Sequence, residues 1–439
     1  MKLTIDLKGS FKFNVDVGIH TDLIMNLFDN LMLPNGTSIP NRIAKAAMEE
    51  SLATVENAPS KALMNLYKSW ADGGSGLLIS GNVMVDRSAL TGAGAVVLED
   101  DQQLDKFKKW ASIGKSGGAR FWLQLNHPGR QMPANLQQQT WGPSEVPVDL
   151  GGLSKHFNAP KEMTSEIIDE VIQRFAHSSY LAELSGFDGV EIHAAHGYLL
   201  SQFLSPLTNK RTDMWGGSLE NRARLLIEIV KHIRDKVSPT FSVAVKLNSA
   251  DFQRGGFTTG EAKQVVSWLN RLKVDLVELS GGSYEAPAMQ GRAGDGRTLA
   301  REAFFLEFAT EIKKVAQMPI MITGGIKRKM VAEKVLASGV DMVGIATALA
   351  IEPNTPNYWK NGKEIVPELS PITWEKKPLA SLANMAMVRY QLTMLSKNKK
   401  TRPDIYPFWA LVKQQLGDIF RARRYRKQIA KEEGALKQK

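Results

Sequence analysis

The stretch GVEIHAAHGY, residues 189–198, decides the fold. Val190 and Ile192 alternate with Glu191 and His193, the period of a strand. The apolar run stops at His193, and His196, Gly197 and Tyr198 follow at once in a loop. A parallel barrel places chemistry-bearing side chains at the C-terminal ends of buried strands in this way. Seven other runs repeat the apolar part of the pattern: Arg42–Met48, Gly76–Ser80, Arg120–Leu125, Ser242–Leu247, Leu276–Leu279, Ile320–Thr323 and Met342–Ala346. Amphipathic stretches alternate with them, at Ser60–Asp72, Gln102–Lys115, Ser165–Leu184, Ser218–Val237, Thr259–Leu272, Arg301–Val315 and Lys327–Ala337. Such alternation predicts βαβ units. Cores such as GLLIS and DMVGI predict strands buried on both faces. An open dinucleotide sheet would show G-x-G-x-x-G after its first strand, and neither that pattern nor G-x-x-x-x-G-K-[ST] occurs. The expected class is α/β, a (β/α)8 TIM barrel with a C-terminal helical extension.

The expected division is an N-terminal extension over 1–26, the barrel over 27–360, and a helical extension with a basic tail over 361–439. Two long insertions, Asn126–Pro160 and Gly281–Ala300, follow the third and sixth strands and belong on the active face of a barrel. The chain has no Cys, which excludes disulfides, thiolate metal sites and cysteine nucleophiles. Charged residues break up the first 25 positions, so no signal core is read there. No run approaches the ~18 apolar residues of a membrane helix. A cytoplasmic protein without membrane insertion is expected. The net charge is +11, and residues 421–439 hold eight Lys/Arg against two Glu. That tail reads either as a solvated helix or as an arm for an anionic partner. Only Tyr425 supplies an aromatic among its charges, which makes nucleic acid a poor candidate.

Two imidazoles and a phenol at a barrel mouth can polarise a carbonyl and deliver a proton. Glu191, His193 and His196 also have the residue types of a metal site, although Glu191 should lie deeper. At the third strand, QLNHPGR (124–130) places Gln124 to offer a donor and an acceptor to a planar heterocycle, with Arg130 free to bind a ligand or join an ion pair. Thr323-Gly324-Gly325 ends the seventh strand where backbone N–H groups bind phosphate in barrels. Lys246 either supplies a cation to an anionic ring or snorkels to water.

These pieces, with Ile39–Ile43, Phe203–Pro206 and Trp215–Arg222, make the chain resemble the Old Yellow Enzyme family from about Leu27 to Asn357. The resemblance implies FMN as cofactor, NADH or NADPH as reductant, and an activated alkene as substrate. It also implies that the protein is a monomer or homo-oligomer. It assigns substrate-oxygen binding to His193 and His196 and proton donation to Tyr198. It assigns the flavin ring to Ala47, Met48, Glu49, Gly81, Gln124 and Lys246, and the phosphate to Gly324, Gly325, Ala346 and Thr347. No metal site is implied. Two departures stand out. Glu49 lies where relatives often carry Thr or Cys; ionised it would disfavour an anionic reduced flavin, and protonated by burial it could donate a hydrogen bond. Ala346-Thr347 replaces a Gly-Arg whose cation meets the phosphate, leaving Lys327 or Arg328 as substitutes. The alternative is a flavin-binding or interaction protein with reduced turnover, using its basic tail for an anionic partner.

Overall fold

The computed structural model describes residues 25–288 and 302–436. Eight parallel strands form the centre: β1 (Ile43–Lys45), β2 (Leu77–Met84), β3 (Arg120–Asn126), β4 (Gly189–Ala194), β5 (Ser242–Asn248), β6 (Leu276–Ser280), β7 (Ile320–Thr323) and β8 (Met342–Ile345). Each pairs with its sequence neighbours, and β8 pairs with β1, so the sheet closes. This is the expected TIM barrel with C-terminal helices. All eight strands are buried almost throughout, as continuous apolar runs require when helices cover the outside.

The helices between strands are α1 (Lys61–Ala71), α2 (Leu104–Lys115), α3 (Ser165–Leu184), α4 (Leu219–Lys236), α5 (Thr259–Asn270), α6 (Leu306–Lys313) and α7 (Lys329–Ala337). Polar caps set several of the starts. Ser60, Thr164 and Ser218 each accept the N–H three residues on, and Thr258 with Glu261 closes a capping box. Leu63, Leu66, Tyr67 and Trp70 line the buried stripe of α1, spaced at three and four residues.

Below the strands, Leu31–Met32 pairs antiparallel with Ser38–Ile39. Leu31, Leu33 and Ile39 pack on the inward residues Ala44, Leu77, Trp122, Ala244, Leu276 and Met342. This hairpin is the floor of the barrel. Asn35 ties it down by donating from its backbone to Asp275 and from its side chain to Ser242, both at 3.1 Å.

Beyond β8 come a short helix α8 (Thr347–Ile351), then α9 (Lys377–Ser396) and α10 (Pro407–Leu436). Tyr425 anchors α10. It is buried among Leu90, Ala95, Met132 and Leu136, and its hydroxyl donates to the Arg87 carbonyl at 2.8 Å. Arg423 and Arg424 lie on the exposed side, so this part of the tail is a solvated helical face.

Three boundaries differ from expectation by more than two residues. β1 ends at Lys45 rather than Met48, because Glu50 is drawn out of line by the Tyr67 hydroxyl (2.5 Å) and the Gly81 N–H (3.0 Å). β2 runs on to Met84 through an irregularity at Ser80-Gly81. α6 begins at Leu306, because Ala303 is left-handed (φ 56°) and Phe305 is buried as an anchor. The first residue of that expected helix, Arg301, lies outside the described residues, as do residues 289–300 of the second insertion.

Candidate active site

The polar interior lies above the floor. Gln124 and Glu191 are paired in register on β3 and β4, and His193, Lys246 and Glu278 on β4, β5 and β6. All five side chains are buried. Lys246 does not snorkel, since its Nζ lies 2.7 Å from the Glu278 carboxylate. Burial alone would lower the ammonium, but Glu278 and Glu191 outweigh it and hold Lys246 above its usual value. Burial pushes Glu278 upward, and Lys246 overcomes that, keeping it below the ordinary carboxylate range. Glu191 goes the other way. Burial and the neighbouring Glu278 charge hold it well above that range, so it keeps its proton. The Gln124 amide donates to Glu191 at 2.5 Å. Half of the donor–acceptor pair expected to face a heterocycle is therefore spent inside the barrel wall.

At the rim, β4 hands over to the loop of His196 and Tyr198. His196 (φ 60°) and Gly197 (φ 74°) are both left-handed, which reverses the chain within two residues. Asn248 accepts the His196 N–H at 3.1 Å, and Gln202 donates to the Gly197 carbonyl at 2.7 Å. The turn brings the three expected residues together. The ring of His193 lies 5.0 Å from that of His196 and 4.9 Å from that of Tyr198, centroid to centroid.

Both imidazoles are neutral. Burial, then His196 and Lys246, hold His193 well below its usual value, and burial with Lys246 does the same to His196. The Ala195 N–H donates to His193 Nδ1 at 3.2 Å. The ring proton of His193 is therefore on Nε2, where it can be donated. His196 Nε2 is paired with the Ser280 hydroxyl at 2.7 Å, leaving Nδ1 for a ligand. Burial, Tyr284 and Glu49 hold the Tyr198 phenol well above its usual value, so it is a protonated donor.

Around this trio, Ala47, Met48 and Glu49 form the half-buried segment after β1. Asn82 (2.6 Å) and Thr91 (3.0 Å) donate to one oxygen of Glu49. Burial raises the Glu49 carboxyl, against the pull of Arg389 on α9. Gly81 has no room for a side chain: a Cβ would fall 2.1 Å from the Glu50 carboxylate and 2.2 Å from the Met48 carbonyl. Arg130 takes the ion-pair role, 2.5 Å from Glu285, and His127 accepts the Gly129 N–H. Burial takes His127 down to about 4. Glu191 serves Gln124 instead of a metal. Among the described residues no group of three His, Cys, Asp or Glu is arranged to hold a metal ion.

The ring end of the site fits a flavin. Asn126, two residues beyond Gln124 on the same face, is fully buried, and both polar atoms of its side chain lack a partner. A buried amide in that state calls for a polar partner, water or ligand, and the ring edge of a flavin would supply one. The phosphate end is different. The Phe304 ring lies where a Cβ on Gly325 would be, 2.5 Å away. Glu302 accepts the N–H groups of Lys327 and Arg328 at the start of α7. Arg328 pairs with Glu302 and Lys327 with Glu368, both at 2.6 Å, so neither expected substitute cation is held in reserve. Ala346 precedes α8, and Thr347, its first residue, is exposed.

Sequence reasoning missed Tyr284, Asn248, Ser280, Gln202 and Glu278. Tyr284 and Gln202 lie in segments with no local pattern. Glu278 was legible only as a charge inside the run DLVEL.

The fold finds its match among known proteins. Residues 26–365 match the model of the NADH:flavin oxidoreductase / NADH oxidase family. The NADH-dependent flavin oxidoreductase nadA of Aspergillus parasiticus is 34% identical, over 80% of this chain and 82% of its own. The NADH oxidase of Thermoanaerobacter brockii is 34% identical over 77% of this chain, which spans about half (51%) of that longer protein. Among solved structures, a 2-naphthoyl-CoA reductase bound to 2-naphthoyl-CoA superposes with a TM-score of 0.71 at 28% identity, covering 77% of this chain and 52% of that one. An old yellow enzyme homologue from Zymomonas mobilis superposes with a TM-score of 0.67 at 22% identity, covering 81% and 98%. The chain therefore belongs to the NADH:flavin oxidoreductase / NADH oxidase family of FMN-dependent, NAD(P)H-using oxidoreductases.

Proposed function

We propose that this oxidoreductase reduces the C=C bond of activated alkenes, α,β-unsaturated carbonyl or nitro compounds. The observation that carries the proposal is the pairing of the His193 Nε2 donor with a protonated Tyr198 phenol, rings 4.9 Å apart at the barrel mouth. Bound FMN supplies hydride transfer from NADH or NADPH to the alkene. His193 holds the substrate oxygen through Nε2–H and draws electron density toward it. His196 assists through Nδ1. Neutral imidazoles suit this work, because they donate without giving up a full proton to the oxygen. Tyr198 protonates the α-carbon.

Gln124, Lys246, Gly81 and the segment Ala47–Glu49 are assigned to the flavin ring. Lys246 stays charged there and counters negative charge on it. Gly324, Gly325, Ala346 and Thr347 are assigned to the phosphate through their backbone N–H groups. A non-catalytic flavin-binding role is favoured only by the lack of a cation at Thr347, and the intact His193–His196–Tyr198 set weighs against it.

The test begins with the visible spectrum of the purified protein and turnover of 2-cyclohexen-1-one with NADH or NADPH. Tyr198→Phe should keep NAD(P)H oxidation by oxygen and slow enone reduction by roughly 10²–10⁴. Equal loss of both activities would remove Tyr198 from the proton-donor role.

A further inference from the structure

We infer that Tyr284 is the proton relay that recharges Tyr198, placed between it and water. The inference rests on the alkene-reductase reading above. Tyr198 is only 7% exposed, so a phenolate left there has poor access to solvent. Tyr284 lies in the loop after β6 and is partly buried, more exposed than Tyr198. The two hydroxyls are 3.0 Å apart, and the rings meet edge to face with centroids 5.9 Å apart.

The loop holds Tyr284 firmly. Its N–H donates to the Gln131 side chain at 3.4 Å. Glu285, the next residue, pairs with the buried Arg130 and accepts the Asp149 N–H at 2.7 Å. The ring of Phe157, from the β3 insertion, lies 6.1 Å from that of Tyr284. The loops after β3 and β6 thus close on one phenol and aim it at another. A tyrosine needed only for apolar packing has no use for a hydroxyl directed at the proton donor.

As hydride adds to the β-carbon, the C=C π pair becomes the new bond from the α-carbon to the Tyr198 proton. The Tyr198 O–H bond breaks and its electron pair stays on that oxygen. In the same step the Tyr284 proton moves to Tyr198, and Tyr284 then takes one proton from water. Each turnover draws one proton from solvent along Tyr284 and Tyr198 in turn.

Tyr284→Phe keeps the ring and removes the relay. With 2-cyclohexen-1-one, kcat should fall about tenfold, less than for loss of the donor itself, with KM within about twofold. NAD(P)H oxidation by oxygen should not change. The dependence of kcat on the H2O/D2O fraction should pass from bowed in the wild type, where two protons move, to linear in the variant. Packing alone would not alter that curve. A variant with wild-type kcat and an unchanged curve overturns the relay and leaves the alkene-reductase reading standing. A wild-type enzyme that binds FMN but reduces no activated alkene overturns both.

Discussion

Lys246 is paired with the buried Glu278 carboxylate, and removing it should unmask the energetics of the barrel interior. In Lys246→Met the stem volume is nearly kept and the charge is lost. Glu278 would then sit at 0% exposure with its cation gone, left either as an unpaired charge or forced to take up a proton. At the observed 2.7 Å and an effective dielectric near 20, the attraction is about 6 kcal/mol before desolvation of the lysine is returned. Breaking one side of a buried pair costs about 3–5 kcal/mol by experience, which brackets the net expectation. That is a large fraction of the ~5–15 kcal/mol by which domains are stable. The assay is equilibrium urea unfolding read by tryptophan fluorescence, for Lys246→Met, Glu278→Gln and the double variant. The double variant should recover most of the loss, giving a coupling of about 2 kcal/mol or more. Additive losses, with no coupling, would refute the pairing as the source of the stability.

Three further outcomes follow from the same geometry. Glu191 is held well above its unfolded value, so the stability it contributes is present below about pH 4.5 and is lost as pH rises toward its folded value. Glu191→Gln should therefore lose less stability than the wild type between pH 5 and pH 8, and parallel profiles would contradict a buried proton there. Gly81→Ala should cost about 1–3 kcal/mol, because the Met48 carbonyl is backbone and cannot swing away from a new methyl; an unchanged melting temperature would show that the β2 irregularity relaxes freely. Arg130→Ala leaves Glu285 without its buried partner and should cost about 3 kcal/mol, with faster proteolysis in the 281–288 loop as the local sign.

Much of this was legible in the sequence because the chemistry is attached to regular elements. The strand period in residues 189–198 located His193, and the turn that follows could only present His196 and Tyr198 at the rim. Helix starts were legible where a Ser or Thr cap preceded an apolar stripe, as at Ser60 and Thr258. What escaped depends on long-range partners. Gln124 was expected to face a ligand with both ends of its amide, but Glu191, 67 residues away in sequence, takes the donor. Lys246 could not be read as buried without Glu278 across the strand pair. The phosphate end depended on Glu302 and Phe304, which fold back onto Gly325 and α7 from a stretch whose pattern reads as the start of a helix.

The hairpin under the barrel has a kinetic consequence. With Leu31, Leu33 and Ile39 filling the floor, the barrel is a vessel with one neck. Nothing passes through it. Whatever binds at the rim must enter and leave by that neck, because packed side chains close the other end.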